Sequence, residues 1–196
     1  MKTIGIIGAG NIGIAVAAHL LKNNISVFIS NSKGPETLKE TISKLGAGVK
    51  AVTTPEAAAA DIVLLALPWS KVKNISTITD WKGKIVIDAT NHFAANGQLE
   101  DTGGLTSSEV IQNLLPGARV IKAFNTLFAT VLEGNPVVGN GRRVLFVSGN
   151  DPVAKGTVIE LIKVIGFAPI DLGSLADGGK YQEAKGVFSG LNLIKV

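Results

Sequence analysis

Residues 4–13 read I-G-I-I-G-A-G-N-I-G, and this stretch constrains the fold more than any other. Gly8, Gly10 and Gly13 stand in a G-x-G-x-x-G spacing between an apolar run (4–7) and an apolar helical stretch (12–22). A second β-type run, 25–29, follows, which completes the strand–turn–helix–strand context of a dinucleotide-binding turn. Each glycine has its own reason. Gly8 permits the tight turn, Gly10 lets a diphosphate approach the backbone, and Gly13 lets helix and strand pack closely. The start of the helix, at Asn11 and Ile12, then offers free N–H groups and a partial positive charge to an anion.

The same alternation continues along the chain. Strands are expected over 4–7, 25–29, 49–52, 62–67, 85–88, 119–123, 144–147 and 168–172. Helices are expected over 12–22, 35–45 and 107–115, with two more opening at Thr54-Pro55-Glu56 and Asp151-Pro152. Pro35 suits a first helical position, Gly46 a stop, and Thr54 is read as an N-cap. Residues 68–75 read as a short helix or turn, and 91–105 as a glycine-rich polar loop. Strands apolar on both faces and alternating with helices predict an α/β Rossmann-type doubly wound fold with a mostly parallel sheet. The length of 196 residues suits one such domain, residues 1–177, with a short C-terminal extension, 178–196, for an acceptor pocket or a dimer contact.

Hydrophobic residues make up 46% of the chain, which excludes a disordered polypeptide. The formal net charge is +4, but the lysines are scattered and Arg142–Arg143 is the one adjacent basic pair. That argues against nucleic acid and suits an anionic small ligand, although charge alone fits a slightly basic soluble protein equally well. Cysteine is absent and there are two histidines, so neither a disulfide framework nor a multi-histidine metal centre is expected. The uncharged segment 4–21 is broken by glycines, so no membrane segment is read and a cytoplasmic location is expected.

The end of the second strand distinguishes the nicotinamide cofactors. An NAD site places Asp or Glu there to accept from the ribose 2′-hydroxyl. Here stand Ser30, Asn31, Ser32 and Lys33, with no acid between Asn24 and Pro35. Two hydroxyls, an amide and an ammonium would donate to a 2′-phosphate that a carboxylate would repel, which favours NADP over NAD. A polar turn with no ligand is the plainer alternative.

Ligands in such sheets lie beyond the carboxyl ends of the strands. The candidates there are Leu67, Pro68 and Trp69 after strand four, Thr90, Asn91 and His92 after strand five, and Ala123, Phe124, Asn125 and Thr126 after strand six. Trp69 and Phe124 are either walls for the nicotinamide or core aromatics. His92 reads first as a structural or solvated histidine and second as a proton donor. Asp88 reads as a cap or turn residue ahead of a general base.

Several motifs occur together and in order: G-A-G-N-I-G, N-S-K-G-P-E-T-L, A-L-P-W, D-A-T-N and V-I-K-A-F-N-T. Together they resemble the deazaflavin-dependent NADP reductase family over residues 2–175. V-I-K-A-F-N-T is similar to the strand-six motif of the cytosolic domains of six-transmembrane ferric reductases. The resemblance implies NADP(H) on the glycine turn from Gly8 to Ile12, its 2′-phosphate at Ser32 and Lys33, and hydride passage to a deazaflavin or to a flavin such as FMN or FAD. Such transfer depends on proximity and ring alignment more than on an acid or base. The chain departs from the family in its short tail, so the acceptor-contacting residues are not carried over, and His92 takes no role from the resemblance.

An NADPH-dependent oxidoreductase with a small-molecule electron acceptor is thus the leading reading, with a homodimer completing the acceptor site. The alternative is a non-catalytic NADP-binding module that senses redox state or regulates a partner. An imine or hydroxyacid reductase ranks third, because such enzymes add a helical domain of about a hundred residues and little chain is left here.

Overall fold

The computed structural model describes residues 2–196. The glycine turn joins β1 (Ile4–Ile7) to α1 (Asn11–Lys22), which leads to β2 (Val27–Ser30). A 3-10 turn (Pro35–Leu38) runs into α2 (Lys39–Leu45), followed by β3 (Val49–Ala51), α3 (Thr54–Ala58) and β4 (Ile62–Leu65). A second 3-10 segment (Trp69–Ile75) precedes β5 (Ile85–Asp88), α4 (Ser107–Leu114) and β6 (Arg119–Lys122). The remainder is α5 (Ala129–Glu133), β7 (Val137–Val138), β8 (Gly141–Gly149), α6 (Pro152–Val164), β9 (Ala168–Asp171), α7 (Gly178–Gln182) and β10 (Ile194–Lys195).

All strands join one sheet. Its order β3-β2-β1-β4-β5-β6 is parallel throughout and is the order of a doubly wound dinucleotide fold. β8 then runs antiparallel to β6, with Ile121 opposite Gly149 and Lys122 opposite Ser148. β9 lies parallel to β8, and β7 and β10 pair with it antiparallel.

The doubly apolar strands follow from burial on both faces. Ile6, Leu64 and Ile87 point to the side covered by α1, α5 and α6, where Leu20, Val158 and Phe167 meet them. Their neighbours Ile7, Leu65 and Val86 point to the other side, against Ala57 of α3, Val72 of the second 3-10 segment and Ile111 of α4. Each such side chain contributes about 1.5–3 kcal/mol by leaving water. His19 of α1 is buried on the first side, where its Nε2 donates to the Leu132 carbonyl at 2.7 Å. Burial holds its pKa below the ordinary 6.5.

Several boundaries differ from the sequence expectation. The N-cap of α3 is Thr53 in place of Thr54. The Thr53 hydroxyl accepts from the Glu56 amide, and the Glu56 carboxylate accepts from the Thr53 amide, a reciprocal T-x-x-E cap. β2 begins at Val27 and β4 ends at Leu65, because the residues beyond enter turns. α5, α7, β7 and β10 are short elements without a full period of their own, and they take shape by docking on α1 and β8. Among the described residues no helix is long and apolar enough to cross a membrane.

Candidate functional site

The glycine turn sits at the switch point of the sheet, where β1 leads one way to β2 and the chain later returns to place β4 on its other side. Gly8 has φ +115, and a Cβ there would lie 2.1 Å from the Ala66 carbonyl oxygen. A Cβ on Gly13 would lie 2.0 Å from the Gly8 oxygen. Both positions therefore need glycine for the fold itself. Gly10 is different: its φ of −86 suits any residue, and a Cβ there would meet nothing within 4 Å. The space it leaves opens into a cleft of about 480 Å³ between Gly8–Gly10 and Leu67–Pro68. Gly10 is also the N-cap of α1 and supplies no side-chain cap, and the first turn, with Asn11, Ile12 and Gly13, carries no acid. The result is a backbone cradle with a partial positive charge facing open volume.

The loop after β2 divides its residues between structure and solvent. Ser30 is fully buried and donates to the Ile6 carbonyl at 3.3 Å, so its hydroxyl is not offered to a ligand, contrary to the sequence expectation. Asn31 forms an Asx turn: its Oδ1 accepts from the Lys33 amide at 2.9 Å and its Nδ2 donates to Thr37 at 2.8 Å. Asn31 and Ser32 border the cleft. Ser32 and Lys33 are exposed, and among the described residues no hydrogen bond or ion pair occupies their side chains. The far wall brings in residues the sequence reading missed, chiefly Thr54 and Lys71. Lys71 stands one 3-10 turn past Pro68, and that spacing was the available signal.

The ends of β5 and β6 are built from side chains. Asp88 and Lys122 lie opposite each other in the ladder, both fully buried, with Nζ 3.0 Å from Oδ2. The ammonium also donates to the Thr90 carbonyl at 2.9 Å and to Ser107 Oγ at 2.9 Å, so its three donors are used. The second carboxylate oxygen, Oδ1, accepts from the Thr90 amide and hydroxyl, and Ser108 donates to Oδ2. The reading of Asp88 as a turn residue was correct but incomplete, since it is also half of this pair. Asn91 and Asn125 exchange two hydrogen bonds, at 3.2 and 3.0 Å.

The tail closes this end. Asn125 donates to the Gln182 carbonyl at 2.6 Å. The buried Gln182 amide group donates to the Phe146 carbonyl at 3.1 Å, and Ser148 donates to its side-chain oxygen. The Thr126 carbonyl accepts from the Gly190 amide at 2.7 Å. Glu183 Oε1 accepts from the Ser107 amide and hydroxyl at the start of α4.

Phe124 and Ala123 are buried in the core on the α1 side, so Phe124 is a core aromatic and not a nicotinamide wall. Its φ of +67 turns the chain sharply and brings Asn125 to the tail. Trp69 faces away from the glycine cleft. Its indole N–H donates to Glu100 at 3.1 Å, and it lines a separate groove between the second 3-10 segment and α4. Of the residues expected at the cofactor, the structure thus brings Gly8, Gly10, Asn31, Ser32, Leu67 and Pro68 around one cleft. Thr90, Asn91 and Asn125 stand together at the neighbouring strand ends.

Comparison with known proteins agrees with this fold. The family model for "NADP oxidoreductase coenzyme F420-dependent" matches residues 3–92. The crystal structure of the protein SMa0349 from Sinorhizobium meliloti is similar with a TM-score of 0.95 and 45% identity, over 100% of this chain and 97% of that one. Metalloreductase STEAP3 of Rattus norvegicus is 29% identical over 182 residues, which cover 91% of this chain. The chain spans only 35% of the length of that protein. The F420-dependent NADP reductase of Methanocaldococcus jannaschii is 30% identical over 213 residues, covering 98% of this chain and 93% of that protein. Identity at that level, sustained along nearly the whole of both chains, places this chain in the family of F420-dependent NADP reductases.

Proposed function

We propose that the protein passes a hydride between NADP(H) and a flavin-type acceptor, a deazaflavin ahead of FMN or FAD. The observation that carries this reading is Gly10. Neither backbone conformation nor packing requires a glycine there, and the open space in front of it is where a diphosphate would lie against the first turn of α1. The backbone of residues 8–13 holds the diphosphate. Ser32 and Lys33, joined by Lys71 from the opposite wall, hold the 2′-phosphate. Leu67 and Pro68 cover the dinucleotide between the two. NADPH supplies the hydride when bound, and the chain's part is to fix the donor and exclude water from it.

Anaerobic NADPH oxidation with a deazaflavin, with FMN and without acceptor, and with NADH in parallel, tests the reading. Fast oxidation with NADPH and one acceptor is the expected result. Tight NADPH binding without turnover would instead favour a redox-sensing binding module. A homodimer is part of the proposal, and light scattering that gave a fully active monomer would remove it.

A further inference from the structure

The wall of the glycine cleft beyond Pro68 is a 3-10 helix of seven residues, Trp69–Ile75. Runs of this geometry longer than three or four residues are uncommon. The Lys71 amide donates to the Pro68 carbonyl at 2.9 Å, and just past the helix the Ile78 amide donates to the Ile75 carbonyl at 3.3 Å, both three residues back. With three residues per turn, side chains three apart eclipse one another and stand in rows. One row, Trp69, Val72 and Ile75, is buried in the core on the α3 side. A second, Ser70 and Lys73, is exposed and borders the separate groove beside α4. The third, Pro68, Lys71 and Asn74, is exposed and lines the glycine cleft. In an α-helix, at 3.6 residues per turn, Asn74 would be turned about 120° away from Pro68. The 3-10 winding is what aims it at the cleft.

The same cleft takes in the glycine turn, the end of β2 at Asn31 and Ser32, and the start of α3 at Thr54. Its apolar lining on the 3-10 side continues past Pro68 to Ile75 and Ile78. Two of its polar side chains already have partners: Thr54 donates to the Asn31 carbonyl at 3.3 Å, and Asn31 closes its Asx turn. Asn74 has none among the described residues, and its amide is exposed. In a sheet of this order the ribose next to the diphosphate lies at the end of β2. The base on that ribose then extends into the part of the cleft bordered by Thr54, Asn74 and the two isoleucines. A purine there has its faces against aliphatic side chains and its polar edge in need of a group that both donates and accepts. An asparagine amide does both, whereas the Lys71 ammonium, one turn and about 6 Å along the row, only donates.

We propose that Asn74 is a specificity-determining residue that reads the adenine of the dinucleotide, while Lys71 in the same row reads its 2′-phosphate. This rests on the functional reading above, which assigns the cleft to NADP(H). The Asn74 carbonyl oxygen accepts from the adenine N6 amino group and its amide nitrogen donates to N7, the bidentate pairing that asparagine makes with adenine. Hypoxanthine carries a carbonyl oxygen in place of the amino group, so the same edge offers two acceptors. Neither orientation of the asparagine amide then pairs both atoms, and one acceptor is left facing another.

Titration calorimetry of the wild type, Asn74→Ala and Lys71→Ala with NADP+, with its hypoxanthine analogue deamino-NADP+ and with NAD+ tests this. Binding is read directly, so the result does not depend on the electron acceptor. The wild type should bind NADP+ about 10-fold more tightly than deamino-NADP+, the scale of one bidentate amide–adenine pair. Asn74→Ala should lose about that factor for NADP+ and nothing for the analogue, which brings the base ratio to about one. Its preference for NADP+ over NAD+ should stay as in the wild type. Lys71→Ala should do the reverse: the preference for NADP+ over NAD+ falls at least about 10-fold, as for a lost bond to a charged group, and the base ratio is kept. Asn74 is exposed and unbonded in the free protein, so Asn74→Ala should unfold in urea as the wild type does. Equal wild-type affinities for the two bases overturn the proposal, as does an Asn74→Ala variant that weakens both analogues equally or keeps the wild-type base ratio. A base ratio that falls as far in Lys71→Ala as in Asn74→Ala overturns it too. Each of these leaves the functional reading standing. A wild type that binds neither NADP+ nor NAD+ overturns the functional reading and this proposal together.

Discussion

Around the glycine turn the carboxyl edge of the sheet is bare backbone. Gly8, Gly10 and the first amides of α1 face an open cleft, and two of the polar side chains bordering it, Ser32 and Lys71, are exposed and, among the described residues, uncommitted. Around β5, β6 and β8 the same edge is crowded with side chains that have already found one another: Asp88 with Lys122, Asn91 with Asn125, and Gln182 with Ser148. The first region is defined by the space it leaves empty. The second keeps a shape by what it fills, and its one misaligned contact, His92 with Glu183, stands out against that satisfied background. One sheet thus presents a general anion cradle and a specific, prebuilt wall side by side.

The largest expected effect lies in the crowded region. Lys122→Met leaves the Asp88 carboxylate buried without its ion partner, and a loss of about 3–5 kcal/mol in urea unfolding is expected. The double variant Lys122→Met with Asp88→Leu should recover much of that loss, since a buried pair replaced by apolar groups is often nearly neutral. No recovery would mean that the wall depends on the charges themselves. In the open region, Lys33→Ala should weaken NADPH binding by about 1.5–3 kcal/mol, the range for a hydrogen bond to a charged group, and leave NADH unchanged. Equal losses for the two cofactors in titration calorimetry would show that Lys33 does not read the 2′-phosphate.

Gly10→Ala sharpens the contrast further. Unfolding should move by no more than about 0.5 kcal/mol, as for a substitution that touches nothing. Binding of NADPH and NADH should both weaken by about 1–3 kcal/mol, the scale of an overpacked contact. Gly8→Ala, by comparison, should damage the fold itself, because its Cβ has no room at a φ that disfavours alanine.

The smallest expected effect concerns His19, remote from both regions. Its folded pKa lies below the ordinary 6.5, chiefly through burial. The unfolded chain therefore takes up a proton at a pH where the folded chain does not. Stability is complete above 6.5 and falls as pH drops from there towards the folded value. His19→Phe should flatten that segment of the stability-versus-pH curve. The carboxylates held low by Thr3 and Thr53, Asp61 and Glu56, lose their contribution at lower pH and leave a separate acid limb.

Legibility followed the same division. The glycine turn, the parallel core strands and the loop after β2 could be read because each is a local pattern: a fixed spacing, a run apolar on both faces, a polar stretch without acid. The four-residue caps were as local, and Thr53–Glu56 was missed only because the cap was placed one residue late. Asp88 and Lys122 carried a legible signal too, as opposite charges at the ends of two apolar strands. Phe124 did not, because an aromatic before Asn125 reads alike whether it faces a ligand or the core.

The sequence by itself determined the sheet's parallel centre, its two apolar faces and the ligand-ready turn, since periodicity and glycine spacing act over a few residues. Tertiary structure alone decided that Glu183 reaches the start of α4, 76 positions earlier, and lies against His92, and that Gln182 locks Asn125 to Ser148. These are contacts between distant segments. Their geometry exists only once the hydrophobic faces have packed and brought the strand ends and the tail together.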